Sequence, residues 1–253
     1  MPVAWLSPCW PAPPAVRALS TLRGSGVSTG RYASLNLGDH VRDAPEAVAE
    51  NRRRLRVAAG LPAEPIWLAQ VHGAGIADLD ALPEDPARAA PAADGAVTRV
   101  PGRICAILTA DCLPVIFASE AGDAVAAAHA GWRGLAGGVI EAAVTALGVA
   151  PTALLAWLGP AIGPRHFEVG TEVRDELVRD DPDARTAFVP NARGRFMADL
   201  PRLARRRLER LGVTRIYGGD ECTHGQAERY FSHRRDGETG RQATLVWLDP
   251  ASK

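Results

Sequence analysis

TADCLPV (Thr109–Val115) follows an unbroken apolar run, Ile104-Cys105-Ala106-Ile107-Leu108. A run of that length bounded by polar residues reads as a buried strand. An aspartate and a cysteine then arrive together, with Pro114 two residues on. Strand ends present side chains to clefts, so the strand is expected to stop at Asp111-Cys112. A cysteine placed there can be packing, a nucleophile or a metal ligand, and the rest of the chain has to decide.

Working downstream, DAVAAAHAGWRG (123–134) reads as a strand entering a tight turn. A helix is expected over Leu135–Leu147, because Leu135, Val139, Ile140, Ala143, Val144 and Leu147 share one face and Gly148 can end it. LLAWLGPAIGP (154–164) opens as a strand. Helices are predicted over Thr171–Arg179 and over Leu200–Leu211, the second capped by Asp199. TRIYGGDECTHG (214–225) is a strand with a polar loop, and FSHRRDGETGRQATLVWL (231–248) is a loop that closes in a last strand.

Upstream, PIWLAQVHGAGIADLD (65–80) reads as strand, turn, strand with His72-Gly73 at the bend, and DGAVT (94–98) as a strand. EDPARAAPAA (84–93) reads as a solvated connection. A helix capped by Asp43, with Pro45 in its first turn, is expected to end at Gly60 and Pro62. RGSGVSTGRYASLNLG (23–38) is a structured loop, and 1–22 a proline-rich lead-in. No repeat or composition break divides the chain, which predicts one mixed α/β (α+β) domain over 1–253.

The 253 residues suffice for a sizeable core. Lys plus Arg equals Asp plus Glu at 29 each, so bulk charge points to neither nucleic acid nor an anionic membrane. No apolar run reaches membrane-spanning length. The N-terminal stretch is a poor signal peptide, and four scattered cysteines suit a reducing cytoplasm.

Three motifs set a metal-capable side chain where a strand becomes a turn: QVHG with His72, TADCLPV with Cys112, and HAGWRG with His129. Their separations, 40 and 17 residues, match no zinc-finger spacing. If they converge, two imidazoles and a thiolate suit zinc and leave a fourth position open, the mark of a catalytic site. Cys105 reads as core and Cys9 as incidental; Cys222 can line the same cleft or be a loop thiol. In GWRG, a turn between two glycines, a helix start and Arg133 together make an anion seat.

The motifs STLRGSGVS, ASLNLG, VAENRRRL, QVHG, ADGAVT, TADCLPV, AHAGWRG, GPAIGP…FEVG and FSHRRDGETGRQ occur in the order of the YfiH-like family, once labelled laccase-domain or polyphenol oxidase proteins. The chain resembles that family from about Arg23 to Trp247. The resemblance implies mixed sheets packed between helices, a fold related to the cytotoxic necrotizing factor catalytic domain, in a monomer. It implies zinc on His72, Cys112 and His129. It also implies phosphorolysis of purine nucleosides (adenosine, inosine, guanosine, methylthioadenosine) and adenosine deamination. Some bacterial members are linked to removing a wrongly attached L-serine from the muramyl precursor of peptidoglycan. Two positions depart: Ser25 stands where glycine is frequent, and His233 where an aromatic is common.

Three functions follow as expectations. The first is a zinc-dependent purine nucleoside phosphorylase with deaminase activity. There Arg133 holds phosphate, Asn36, Arg23 and Arg234 hold base, ribose or phosphate, and Asp111 orients a ligand or accepts a proton. The H-x-E motif of zinc deaminases is absent. The second is a hydrolase acting on a cell-wall precursor, with Cys112 and His129 as nucleophile and base. The third, a non-enzymatic scaffold, fits poorly with so many polar residues at strand ends. Laccase chemistry is rejected: six histidines, none in a His-x-His pair, cannot build a multicopper cluster.

Overall fold

The computed structural model describes residues 2–83 and 89–251; part of the 84–93 connection lies outside the described residues. Two sheets stack in the middle of the molecule. One has four strands in the order β1 (Trp5–Leu6), β2 (Val16–Thr21), β13 (Gln242–Leu248), β5 (Ile104–Thr109), all antiparallel. The other has six, in the order β12 (Arg215–Gly218), β8 (Leu154–Leu158), β6 (Leu113–Ser119), β7 (Val125–Ala130), β4 (Gly95–Thr98), β3 (Ile76–Asp78). Its two outer pairs are parallel and its central pairs antiparallel. A small third sheet joins β10 (Phe188–Pro190), β11 (Phe196–Ala198) and β9 (Glu168–Val169).

Side-chain alternation explains the stack. Along β6, Val115 and Phe117 pack on one face with α3 (Val139–Leu147) and α5 (Leu200–Arg210), while Ile116 and Ala118 face the other way. That second face meets Cys105 and Ile107 of β5. The opposite face of β5, Ile104, Ala106 and Leu108, packs against Leu55 of α1 (Pro45–Ala58). Both central strands are thus buried on two faces, which is why they read as continuous apolar runs. The layers are helix, sheet, sheet, helix, as the family resemblance implied.

TADCLPV is the corner between those sheets. The chain leaves β5 at Thr109, turns through Ala110–Cys112 and enters β6 at Leu113. Asp111 takes φ +93 to make the turn, a conformation that costs a non-glycine residue about 1–3 kcal/mol. Pro114 therefore does not close a strand. It is the second residue of β6, and the ladder to β8 begins only at Val115, so its missing N–H costs little there.

Three other expectations need correction. The helix over 135–147 is two helices, α2 (Trp132–Ala136) and α3, because Gly138 adopts φ +85 between them. Asp43 does not cap α1: Ala44 holds the cap position, and Asp43 Oδ2 instead accepts from Ser28 and Asn36. Within 65–80 only β3 is a strand; Ile66 and Ala69 make single bridges. The predicted α4 (Thr171–Val178) and α5 are present, and Asp199 caps α5 by accepting from the Arg202 N–H. The last helix, α6 (His233–Asp236), lies in the closing loop. Ser25, where glycine was expected, sits at φ +72, the left-handed region in which glycine is unstrained.

Candidate metal centre

His72 lies in the loop before β3, Cys112 on the corner between the sheets, and His129 near the end of β7, where it registers with Pro114. Their donor atoms all fall within 4.8 Å of one another. The two imidazoles meet edge to face with centroids 4.8 Å apart. His129 is buried, Cys112 partly covered and His72 exposed, so the group opens to solvent on one side. Gly131 gives the sulfur its room: a Cβ there would lie 2.8 Å from Cys112 Sγ.

Asp94, at the threshold of β4, organises the group, and sequence reasoning missed it. Its only sequence signal is an acidic residue opening an apolar strand. The carboxylate is fully buried. Oδ1 accepts from the His72 N–H at 2.9 Å and pairs with His129 Nδ1 at 2.9 Å; Oδ2 accepts from the N–H groups of Val71 and Gly73 at 3.1 and 2.7 Å. One side chain thus holds the His72 loop, with His72 itself at φ +62, and orients His129 through Nδ1. Gln70 anchors the same loop to β5, donating to Leu108 O and accepting from Leu108 N–H.

The electrostatics agree. Burial pushes the Cys112 thiol up, but His129 and His72 outweigh it and bring it to about 6. Burial pushes His129 down, but Cys112 and Asp94 raise it to about 9. Burial also opposes the charge on Asp94, yet bonds from His129, Gly73 and His72 hold its carboxyl below the usual range. In Cys105 burial, the largest cause, pushes the thiol far up. Alkylation needs the thiolate, so iodoacetamide labelling of Cys112 in metal-free protein is expected to rise with pH through a midpoint near 6. Cys105 should stay unlabelled. A Cys112 midpoint in the ordinary thiol range, about 8.5, would contradict the coupling.

The donor set fits zinc: two imidazole nitrogens, one sulfur, an open side, and a carboxylate fixing the second nitrogen of one histidine. The remaining sequence candidates fall into two groups. Asn36 is no substrate ligand: it is fully buried, its amide donates to Gly38 O and Asp43 Oδ2, and its Oδ1 accepts from Gly38 and Arg241. Arg23 is likewise a clamp, with its nitrogens donating to Ala33 O, Ala227 O and Tyr230 O over the Phe231 ring. Asp111 accepts from Thr223 Oγ1 and the Arg234 N–H, both at 2.6 Å. Both oxygens are committed to tying loops, which argues against a role as proton acceptor.

Arg133 and Arg234 stay exposed. Arg133 stacks on Trp132 at 4.4 Å; Arg234 donates to Glu168 O. Cys222 is not among the converging donors; its sulfur sits 3.5 Å from His166 Nδ1, and His166 stacks on His224. His233 Nδ1 contacts Gly237 O. A groove of about 890 Å³ lined by Arg52, Trp67 and Arg103 includes none of the three converging residues.

A family described as multi-copper polyphenol oxidoreductase laccase matches residues 17–249. Purine nucleoside phosphorylase PA4543 of Pseudomonas aeruginosa is 55% identical, over 97% of this chain and 98% of its own. Purine nucleoside phosphorylase YfiH of Escherichia coli is 50% identical, over 95% and 97%. The crystal structure of Neisseria meningitidis protein NMB0706 superposes with a TM-score of 0.91 at 47% identity, over 97% of this chain and 99% of that one.

Proposed function

Since the chain belongs to the multi-copper polyphenol oxidoreductase laccase family, in company with relatives named purine nucleoside phosphorylases, we propose that it is a zinc-dependent purine nucleoside phosphorylase. It takes adenosine, inosine, guanosine or methylthioadenosine with phosphate to base and sugar 1-phosphate, and it also deaminates adenosine. The observation that carries this reading is the convergence of His72, Cys112 and His129 with Asp94 behind them. Copper suits the family's description less well here. The chain has six histidines, and only two belong to the group, whereas a multicopper oxidase needs several histidine-rich centres.

Zinc held by His72, Cys112 and His129 supplies a Lewis acid for an oxygen of phosphate or water. The chain's own residues do the rest. Asp94 keeps the His129 proton on Nδ1, leaving Nε2 free as a donor. Arg133, two residues past Gly131, offers charge to an incoming oxyanion. Because Arg133 is exposed, its loss is screened by solvent. Arg133→Ala is expected to raise the Michaelis constant for phosphate by about tenfold, about 1.4 kcal/mol, and to spare deamination. Equal loss in both reactions would place Arg133 on the nucleoside instead.

A second reading draws on the same geometry without metal. Asp94, His129 and Cys112 stand in the order orienter, base and nucleophile, which suits hydrolysis of an amide in a peptidoglycan precursor. Anaerobic purification, metal analysis and a nucleoside panel with and without phosphate separate the two. One zinc per chain and phosphate-dependent turnover support the phosphorylase. Metal-free protein that cleaves the amide and loses it on alkylation of Cys112 supports the hydrolase. As to setting, no helix among the described residues is long and apolar enough to cross a membrane; we propose a monomer of one domain over 1–253, working in the cytoplasm on small molecules.

A further inference from the structure

The metal centre leaves two motifs unexplained, SLNLG around Asn36 and GETGRQ before the last strand. They converge on Arg241. The Arg241 N–H donates to Asn36 Oδ1 at 2.8 Å, and its carbonyl accepts from the Leu37 N–H at 3.1 Å. Its side chain passes over Gly38, where a Cβ would lie 2.8 Å from Arg241 Cγ. Nη1 donates to Thr239 O and Gly240 O at 2.8 and 3.0 Å. The buried Asn36 network therefore serves to fix one arginine.

The location of Arg241 gives that fixing a purpose. Gln242 registers with Thr109, so the preceding residue lies across from the corner that delivers Asp111 and Cys112. Burial, the largest influence, holds the Arg241 guanidinium below its ordinary value, and the negative charges of Cys112 and Asp111 offset only part of that cost. Some partly covered arginines have carboxylate partners, as Arg52 with Asp39 and Arg207 with Glu141, and others, Arg23 and Arg205, spend the guanidinium on two or more backbone carbonyls. Among the described residues Arg241 pairs with no carboxylate, and its Nε and Nη2 bond no protein acceptor. A half-buried guanidinium held rigid with a free edge suits an oxyanion that supplies the missing charge.

We infer that Arg241 is the principal phosphate-holding residue of this site, binding the oxyanion through Nε and Nη2 beside the His72–Cys112–His129 group. The inference rests on the phosphorolytic reading for the identity of its ligand. Arg133, exposed on the other motif, is then the secondary contact.

The test is titration of zinc-loaded protein with inorganic phosphate, followed by phosphorus NMR or calorimetry, for wild type, Arg241→Gln and Arg241→Lys. Arg241→Gln should weaken phosphate about tenfold or more while zinc content and melting temperature hold. Arg241→Lys keeps charge and stem but not the planar fork, and should fall between. In turnover the Michaelis constant for phosphate should rise while that for nucleoside moves less than about twofold. Should the glutamine protein not fold, weakened phosphate binding by the lysine protein carries the test. Unchanged phosphate binding in a folded variant overturns the inference, as does a wild type that binds no phosphate. Phosphate bound through Arg241 in a protein without phosphorolysis would instead defeat the proposed function and leave the anion seat standing.

Discussion

Cys112→Ser protein is expected to emerge from purification with most of its metal missing and with phosphorolysis abolished. Serine is nearly isosteric, so the corner between β5 and β6 should survive. What goes is the only sulfur donor of the group. The wild-type thiol is already biased toward its negative form by two imidazoles, whereas a serine hydroxyl keeps its proton at neutral pH and is a poor zinc ligand. The loss in affinity should exceed the about 10–100-fold usual for removing a supporting residue. Chelator competition on protein prepared in metal-defined medium gives the number. Full zinc occupancy in Cys112→Ser would remove the sulfur from the ligand set and favour its role as a nucleophile.

The second large effect belongs to Asp94, whose side chain is fully buried behind the donors. Asp94→Ala leaves the N–H groups of Val71, His72 and Gly73 and the His129 ring without their acceptor in a buried place. Each orphaned donor costs about 1–3 kcal/mol. Relaxation and water entry offset part of that, so a total near 3–5 kcal/mol is expected, as for breaking a buried charged pair. Metal affinity should fall about 10–100-fold as His129 loses its orienting partner and His72 its loop. Asp94→Asn separates the two losses. It keeps the volume and one acceptor, but its amide faces N–H groups that need an oxygen. Thermal unfolding should therefore recover more than metal affinity does. Metal affinity within about twofold of wild type in both variants would mean that the ligands are placed without Asp94.

Much of this was legible in residue order. Continuous apolar runs at 104–108 and in VAAAHA are what strands covered on both faces look like, and they predicted strands there, while the packing of sheets between helices was an implication of the family resemblance. Asp199 and Leu200–Leu211 were readable because caps and 3.6-residue periodicity are local. His72, Cys112 and His129 stood out because metal-capable side chains at strand ends are chemically conspicuous. The misreadings have a common cause. Arg23 and Asn36 looked like ligand holders because they are polar residues in loops. The fold buries Asn36 and partly covers Arg23, where donors and acceptors need partners, and commits them to backbone groups and, for Asn36, to Asp43 as well.

What the chain determined by itself is therefore most of its main elements, the buried character of its central strands and three metal-capable candidates, which the family resemblance made into a ligand set. Those follow from hydrophobic periodicity and side-chain chemistry, which are written residue by residue. Only the tertiary structure decided that TADC bridges two stacked sheets, that Asp94 holds two of the three donors from a fourth place in the chain, and that Asn36 is buried beneath Arg241, bonded to its backbone N–H. Those facts depend on which distant segments share a neighbourhood. Asp94 meets His129 across 35 residues, and Arg241 meets Asn36 across 205. Contacts over such spans are chosen by how the two sheets bury each other's faces, a property of the packed whole.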